Sequence, residues 1–162
     1  MSKIHNRFLA FIWCLLVSVG LYGDAKNDVT ESRKRMKGKV TNKLNEALKM
    51  SKKKNKAVFL ILYDGRGKDL SKIDYYTRWF FSTETVQDKI AETFIQAIIP
   101  VQQKGASKYK PEDVPLDHCR IVIIAPGDKV LFNENMVTNP TAVSKLATSL
   151  VKLWRDHEGK AK

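Results

Sequence analysis

The chain has 162 residues, of which 43% are hydrophobic, enough for one domain with its own core and too many for a fully disordered protein. Its formal net charge of +12 is unevenly placed. Residues 26–56 hold 12 Lys/Arg against 3 Asp/Glu, whereas residues 57–162 hold 15 against 13, so the basic character belongs to one N-terminal segment.

Residues 1–25 form the first predicted unit. Lys3 and Arg7 make a positive n-region, FLAFIWCLLVSVGL (8–21) is an uncharged apolar run, and Gly20, Gly23 and Ala25 follow. This is the signal-peptide pattern, and the run is shorter than the ~20 residues of a membrane-spanning helix. Export to the periplasm or medium is expected, with cleavage after Gly23 or Ala25. The alternative is an uncleaved signal anchor that tethers the domain to a membrane. Cys14 leaves with a cleaved signal, and the mature chain then has one thiol, Cys119, and no intrachain disulfide.

A basic N-terminal helix is expected next, within 26–56 and leading into the domain. Met36, Val40, Leu44, Ala47 and Leu48 make an apolar stripe at helical spacing over 30–54, and lysines cover the other face. The domain proper is predicted over 57–157. AVFLILY (57–63) reads as a central strand buried on both faces. A helix follows over 71–81 with Leu70, Ile73, Thr77 and Phe80 on one side. A second helix starts at Ser82 or Thr83 and turns Val86, Ile90 and Phe94 inward. AIIPV (97–101) is another strand, in which Pro100 requires a position with a free N–H side. After a polar loop over 102–118, IVIIA (121–125), the turn Pro126-Gly127-Asp128 and KVLFN (129–133) make an antiparallel hairpin. Asn139 caps the last helix, Pro140 takes its first position, and Val143, Leu146, Ala147, Leu150, Val151 and Trp154 form its apolar face. Residues 158–162 are expected to be a disordered tail.

The loop DGRGKDL (Asp64, Gly65, Arg66, Gly67, Lys68, Asp69, Leu70) sits where a buried strand meets a helix, a common place for chemistry. It is no P-loop, because Gly65 and Gly67 are too close together and Asp69 follows Lys68. It is no dinucleotide fingerprint, because Leu70 fills the place of the third glycine. Asp117, His118 and Cys119 are consecutive, and on an extended segment they point to alternate sides, so no metal site and no Cys–His dyad is expected. YYTRWFF (75–81) has five aromatics in seven residues. Core packing accounts for some, and Tyr75 and Trp79 are the candidates for an exposed partner-binding patch. The basic segment has no aromatic residue to stack on bases, so nucleic acid is not expected as a partner. A solvated helix face is the ordinary reading of its lysines, and an anionic membrane surface is the functional one.

The element order, with the stretches NKAVFLILYDG, FFSTETVQDKIAETFIQAIIPV and CRIVIIAPGDKVLF, resembles the thioredoxin-like superfamily, and within it the exported bacterial branch whose N-terminal helix leads into the strand before the active site. The resemblance spans about Thr41 to Trp154. It implies a three-layer α/β fold with a mixed central sheet and helices on both faces. Redox members of that superfamily carry CxxC at the end of the first central strand, where a helix N-terminus stabilises a thiolate. Here the same positions read GKDL, with Gly67 and Leu70 in place of the cysteines, and neither can exchange disulfides. The family's cis-proline, which shapes the groove beside the active site, falls by register at Cys119, with Pro115 the nearest proline. Cys119 is therefore either a thiol in that groove or a small buried residue at a strand start.

The resemblance thus implies an exported binding or accessory module that has lost dithiol chemistry, needs no cofactor, and serves a protein partner in the cell envelope. The alternatives are a single-thiol redox protein using Cys119 and a structural envelope protein held by its basic helix.

Overall fold

The computed structural model describes residues 28–66, 70–112, 116 and 118–160. Its elements follow in the order α1 (28–35), β1 (Val40–Thr41), α2 (Leu44–Lys54), β2 (Val58–Tyr63), α3 (Leu70–Phe80), α4 (Glu84–Thr93), β3 (Ile95–Pro100), a 3₁₀ turn (Ser107–Tyr109), β4 (Arg120–Ile124), β5 (Val130–Asn135) and α5 (Pro140–Lys160).

β2 is the centre of the sheet, as its unbroken apolar run requires. The strand order is β1-β3-β2-β4-β5. β2 runs parallel to β3, from Val58↔Ile95 to Tyr63↔Pro100, and antiparallel to β4, from Val58↔Ile124 to Leu62↔Arg120. Alternate residues of a strand face opposite sides, so β2 feeds two cores. Phe59 and Ile61 join Ile98, Ile121 and Ile123 beneath α1, α3, α4 and α5. Val58, Leu60 and Leu62 join Ala97, Ile99, Val122 and Ile124 beneath α2 and the 3₁₀ turn. The sheet is therefore mixed and has helices on both faces.

Several local readings hold. Thr83 caps α4, its hydroxyl accepting from the Val86 N–H at 3.4 Å, and Val86, Ile90 and Phe94 are buried. Asn139 Oδ1 accepts from the N–H groups of Thr141 and Ala142 at 3.0 and 3.1 Å, which fixes the start of α5. β4 and β5 form the hairpin, with Gly127 and Asp128 at φ +98° and +78° in its turn. Pro100 ends β3 beyond the two residues that β1 reaches, Gln96 and Ala97, so its missing N–H costs no ladder bond on that side.

Three expectations are corrected. The helix expected over 30–54 is two helices separated by a strand. Gly38 turns the chain at φ +85°, a conformation open to glycine, and Val40 and Thr41 pair with the edge of β3. The stripe read as one apolar face is divided, with Met36 in the core under α1 and Leu44 and Ala47 in the core under α2. Segment 26–56 therefore does not merely lead into a domain that starts at 57, because it supplies a strand and core residues to the same sheet. Several of its cations are also engaged. Arg33 donates to the Val40 carbonyl at 3.1 Å, Arg35 binds Asp74, and Lys37 lies 2.5 Å from Asp88. At the other end, α5 continues through Lys160, so the tail expected from 158 is helical as far as that residue.

Candidate functional site

The site begins where β2 ends. The antiparallel register pairs Leu62 with Arg120, which brings the next residues outward, Tyr63 and Cys119, to the same end of the sheet. The first turns of α3 lie beside them. Of the loop 64–70, Asp64, Gly65 and Arg66 are described and Leu70 opens α3, whereas Gly67, Lys68 and Asp69 lie outside the described residues. Pro115 and Asp117 lie outside them too.

The start of the loop is tied down. Asp64 Oδ1 accepts from the Arg66 N–H at 2.9 Å, the two-residue side-chain turn that aspartate favours. The Gly65 N–H donates to Gln102 Oε1 at 2.9 Å, and the Gln102 amide donates back to Asp64. A Cβ on Gly65 would stand 2.9 Å from Gln102 Oε1 and 3.1 Å from the Pro100 Cβ, so a larger residue would have to displace the Gln102 amide that clasps the loop. A phosphate cradle needs backbone N–H groups aimed at a ligand. Those of Gly65 and Arg66 are already bonded to side-chain oxygens, in agreement with the failed motif match.

Cys119 is 4% exposed and packs among Ile121, Met136 and their neighbours in the core under α3. Burial pushes its thiol up to about 12, against a smaller opposing pull from Lys72. The same burial raises Tyr63, with the neighbouring Cys119 adding to it. Of the two places the sequence allowed for this thiol, groove or core, the structure shows the core. His118, just before it, is half-buried and shares a hydrogen bond of 2.9 Å with the Tyr76 hydroxyl, their rings 5.6 Å apart. Among the described residues no three His, Cys, Asp or Glu side chains are grouped to hold a metal.

Tyr75 and Trp79 project outward from α3, 51% and 41% exposed, with ring centroids 6.4 Å apart. They stand on the exposed side of the helix, while Ile73, Thr77 and Phe80 are fully buried on its other side. The structure thus separates the candidates into a clasped loop, a buried thiol and an exposed aromatic pair on one helix.

Sequence reading missed Arg120. It is buried and points to the face opposite Cys119, where Nε donates to Asn133 Oδ1 at 2.8 Å, Nη1 to Asn135 Oδ1 at 2.7 Å and Nη2 to the Asn133 carbonyl at 2.7 Å. Asn133 in turn donates to the Tyr109 carbonyl at 2.7 Å. Burial lowers the Arg120 pKa from the usual arginine value. A signal was present: Arg120, Asn133 and Asn135 are polar residues at same-face positions of two paired strands. Nearby, Asp128 accepts from the Tyr109 hydroxyl and from Lys108, which ties the hairpin turn to the 3₁₀ turn.

No protein-family model matches the sequence, and no curated protein matches it. Among solved structures, the chain is similar to the solution structure of a "putative disulphide-isomerase" from Bacteroides thetaiotaomicron. The TM-score is 0.54 and the identity 12%, over 68% of this chain and 89% of that one. With the mixed five-stranded sheet and its two helical layers, this likeness gives the chain a thioredoxin-like fold.

Proposed function

We propose that the protein is an exported thioredoxin-like binding or accessory module without dithiol redox chemistry. The observation that carries this reading is the junction of β2 and α3. By sequence register Gly67 and Leu70 take the positions where redox relatives hold their two cysteines, and Cys119, the one thiol among the described residues, is closed within the core. Burial disfavours the Cys119 thiolate, and the thiolate is the reactive species. The partner in this reading is a protein of the cell envelope that docks where Asp64, Gly65 and Arg66 meet α3. No cofactor is invoked.

Two measurements test it. Insulin reduction with dithiothreitol as reductant should run no faster with the protein than without it, and robust acceleration overturns the proposal. Cys119 should resist a thiol reagent at pH 8 until denaturant is added; rapid labelling of the native protein would instead favour a single-thiol enzyme. Residues 1–25 support export. N-terminal sequencing of protein recovered from cells should find a start after Gly23 or Ala25, whereas an intact leader would mean a membrane anchor.

A further inference from the structure

The sheet leaves a cavity at the end opposite the loop 64–70. β2 and β3 run parallel from Val58↔Ile95 to Tyr63↔Pro100, and the loop follows Tyr63. At the other end, β1 pairs with only Gln96 and Ala97, so Ile95 has no strand beside it on that side. A cavity of about 160 Å³ opens there, between the last turns of α2 and α4 and the turn at Gly38. That is room for one benzene-sized body. Met50, Ala91, Phe94 and Ile95 supply its apolar lining. Lys39, Lys54 and Lys56 supply the charge, and among the described residues no carboxylate lines it.

Gln96 is the most deeply buried polar residue of that lining, 2% exposed. Its Nε2 donates to the Lys37 carbonyl at 2.6 Å, which fixes the orientation of the amide, because a carbonyl only accepts. Oε1 is then buried without a hydrogen-bond partner. A buried acceptor left unmade costs more than an ordinary hydrogen bond contributes, so one kept at a cavity marks the place of a donor. The lysines are not used up by the fold. Lys39 lies 3.6 Å from Glu46, whose carboxylate also accepts from Thr41 Oγ1 at 2.9 Å. Lys56 gives one N–H to the Glu92 carbonyl at 2.6 Å, a neutral group that leaves the charge in place. Among the described residues neither Lys54 nor Lys56 is in an ion pair.

We propose that this cavity binds a small carboxylate whose apolar body carries an N–H donor, the chemistry of an acylated apolar amino acid or of a peptide C-terminus. The carboxylate sits among Lys54, Lys56 and Lys39, the apolar body lies against Phe94 and Ile95, and the N–H donates to Gln96 Oε1. Oε1 is closed to solvent as the side chains stand, so binding requires those at the rim to move aside. The site is independent of what the loop 64–70 binds.

The test is a chemical-shift titration of the isotope-labelled full chain with N-acetyl-leucine. The Gln96 side-chain amide and the Phe94 and Ile95 backbone amides should shift and saturate with a Kd of about 1 mM, the affinity that about a dozen non-hydrogen atoms give at ordinary ligand efficiency. N-acetyl-leucinamide, which lacks the charge, and isocaproate, which lacks the donor, should each bind about tenfold more weakly. K54Q/K56Q should weaken N-acetyl-leucine about tenfold and leave N-acetyl-leucinamide unchanged. Q96M should bring N-acetyl-leucine down to isocaproate and leave isocaproate unchanged. If Q96M does not fold, the exposed lysine pair and the two control ligands decide. No saturable shift at these amides, or equal binding of the acid and its amide, overturns the proposal. Acetylated Ala-Ala-Leu separates the two sources: binding as tight as N-acetyl-leucine supports a peptide C-terminus, and its exclusion supports a free small acid.

Discussion

The two faces of the sheet are covered differently, and their chemistry follows. Beneath α1, α3, α4 and α5 the sheet presents Phe59, Ile61, Ile98, Ile121 and Ile123, and Phe59 stands within 5.7–6.1 Å of the rings of Phe80, Phe81 and Phe94. Helices satisfy their own backbone, so a layer of helices can bury apolar side chains alone. The other face has one helix, α2, and the loop that holds the 3₁₀ turn. A loop brings backbone groups that need partners. Here Arg120, Asn133, Tyr109 and Asp128 make a hydrogen-bonded network where the first face has aromatic packing. Cys119 and Arg120, consecutive residues at the start of β4, sample the two environments, and each is matched to its own.

That contrast can be broken most forcefully at Phe59. Phe59→Ala should cost about 3–5 kcal/mol in denaturant unfolding, because a fully buried ring among three others leaves a cavity; a loss under about 1 kcal/mol would mean that the helical face is not tightly packed. On the other face, Arg120→Met should cost about 1–2 kcal/mol, mainly by removing the donors to the partly buried Asn133, because the exposed Asn135 can turn to water. The triple variant R120M/N133V/N135V should regain only part of that, since it removes the orphaned side-chain oxygens but also takes the Asn133 donor from the Tyr109 carbonyl. If the triple variant is no better than the single one, the network contributes packing rather than hydrogen bonding.

Asp74 gives a smaller effect with a pH signature. Burial alone would push its carboxyl up, but the guanidiniums of Arg35 and Arg78 outweigh it and hold the pKa below the usual carboxylate range. A lowered folded pKa means that the stabilisation is present above the unfolded value of about 3.9 and is lost as the pH falls through the folded value. Asp74→Asn should therefore cost about 1 kcal/mol at pH 7, discounted for the exposure of Arg78, and nothing once both carboxyl forms are protonated. Amide exchange in residues 28–35 should quicken, because the link between α1 and α3 is gone. The smallest change is expected at the exposed aromatic pair of α3, where Trp79→Ser should move stability by no more than about 0.5 kcal/mol; a larger loss would place the ring in the fold rather than on its surface.

Much of this architecture could be read from the chain. The unbroken run 57–63 marked the central strand because only a strand covered on both faces carries no polar residue. The hairpin and α5 were fixed by local chemistry, a Pro-Gly-Asp turn and an Asn-Pro cap. The break between α1 and α2 was not legible, because Met36, Val40 and Leu44 keep helical spacing across it and a two-residue strand has no alternation to show. Nor was the N-terminus of α2, where Leu44 N–H donates to Gln103 Oε1 at 2.7 Å from 59 residues away. At the candidate site, the residue types that exclude dithiol exchange were plain, and so was the aromatic excess at 75–81. Which rings would face outward, and on which side of β4 the thiol would lie, were not.

By itself, then, the sequence determined the order of the elements from β2 to α5, the central strand, the turn and cap chemistry, and the absence of two cysteines at the junction of β2 and α3. These depend on neighbours within a few residues, through hydrogen bonds and side-chain periodicity that local spacing encodes. Only the tertiary structure decided that Val40 and Thr41 form a strand, that Cys119 is closed in the core while Arg120 is held by Asn133 and Asn135, and that Tyr75 and Trp79 remain exposed beside a carboxylate already taken by two arginines. Each of these needs a partner far away in the chain, and burial and pairing between distant segments exist only once the chain has folded.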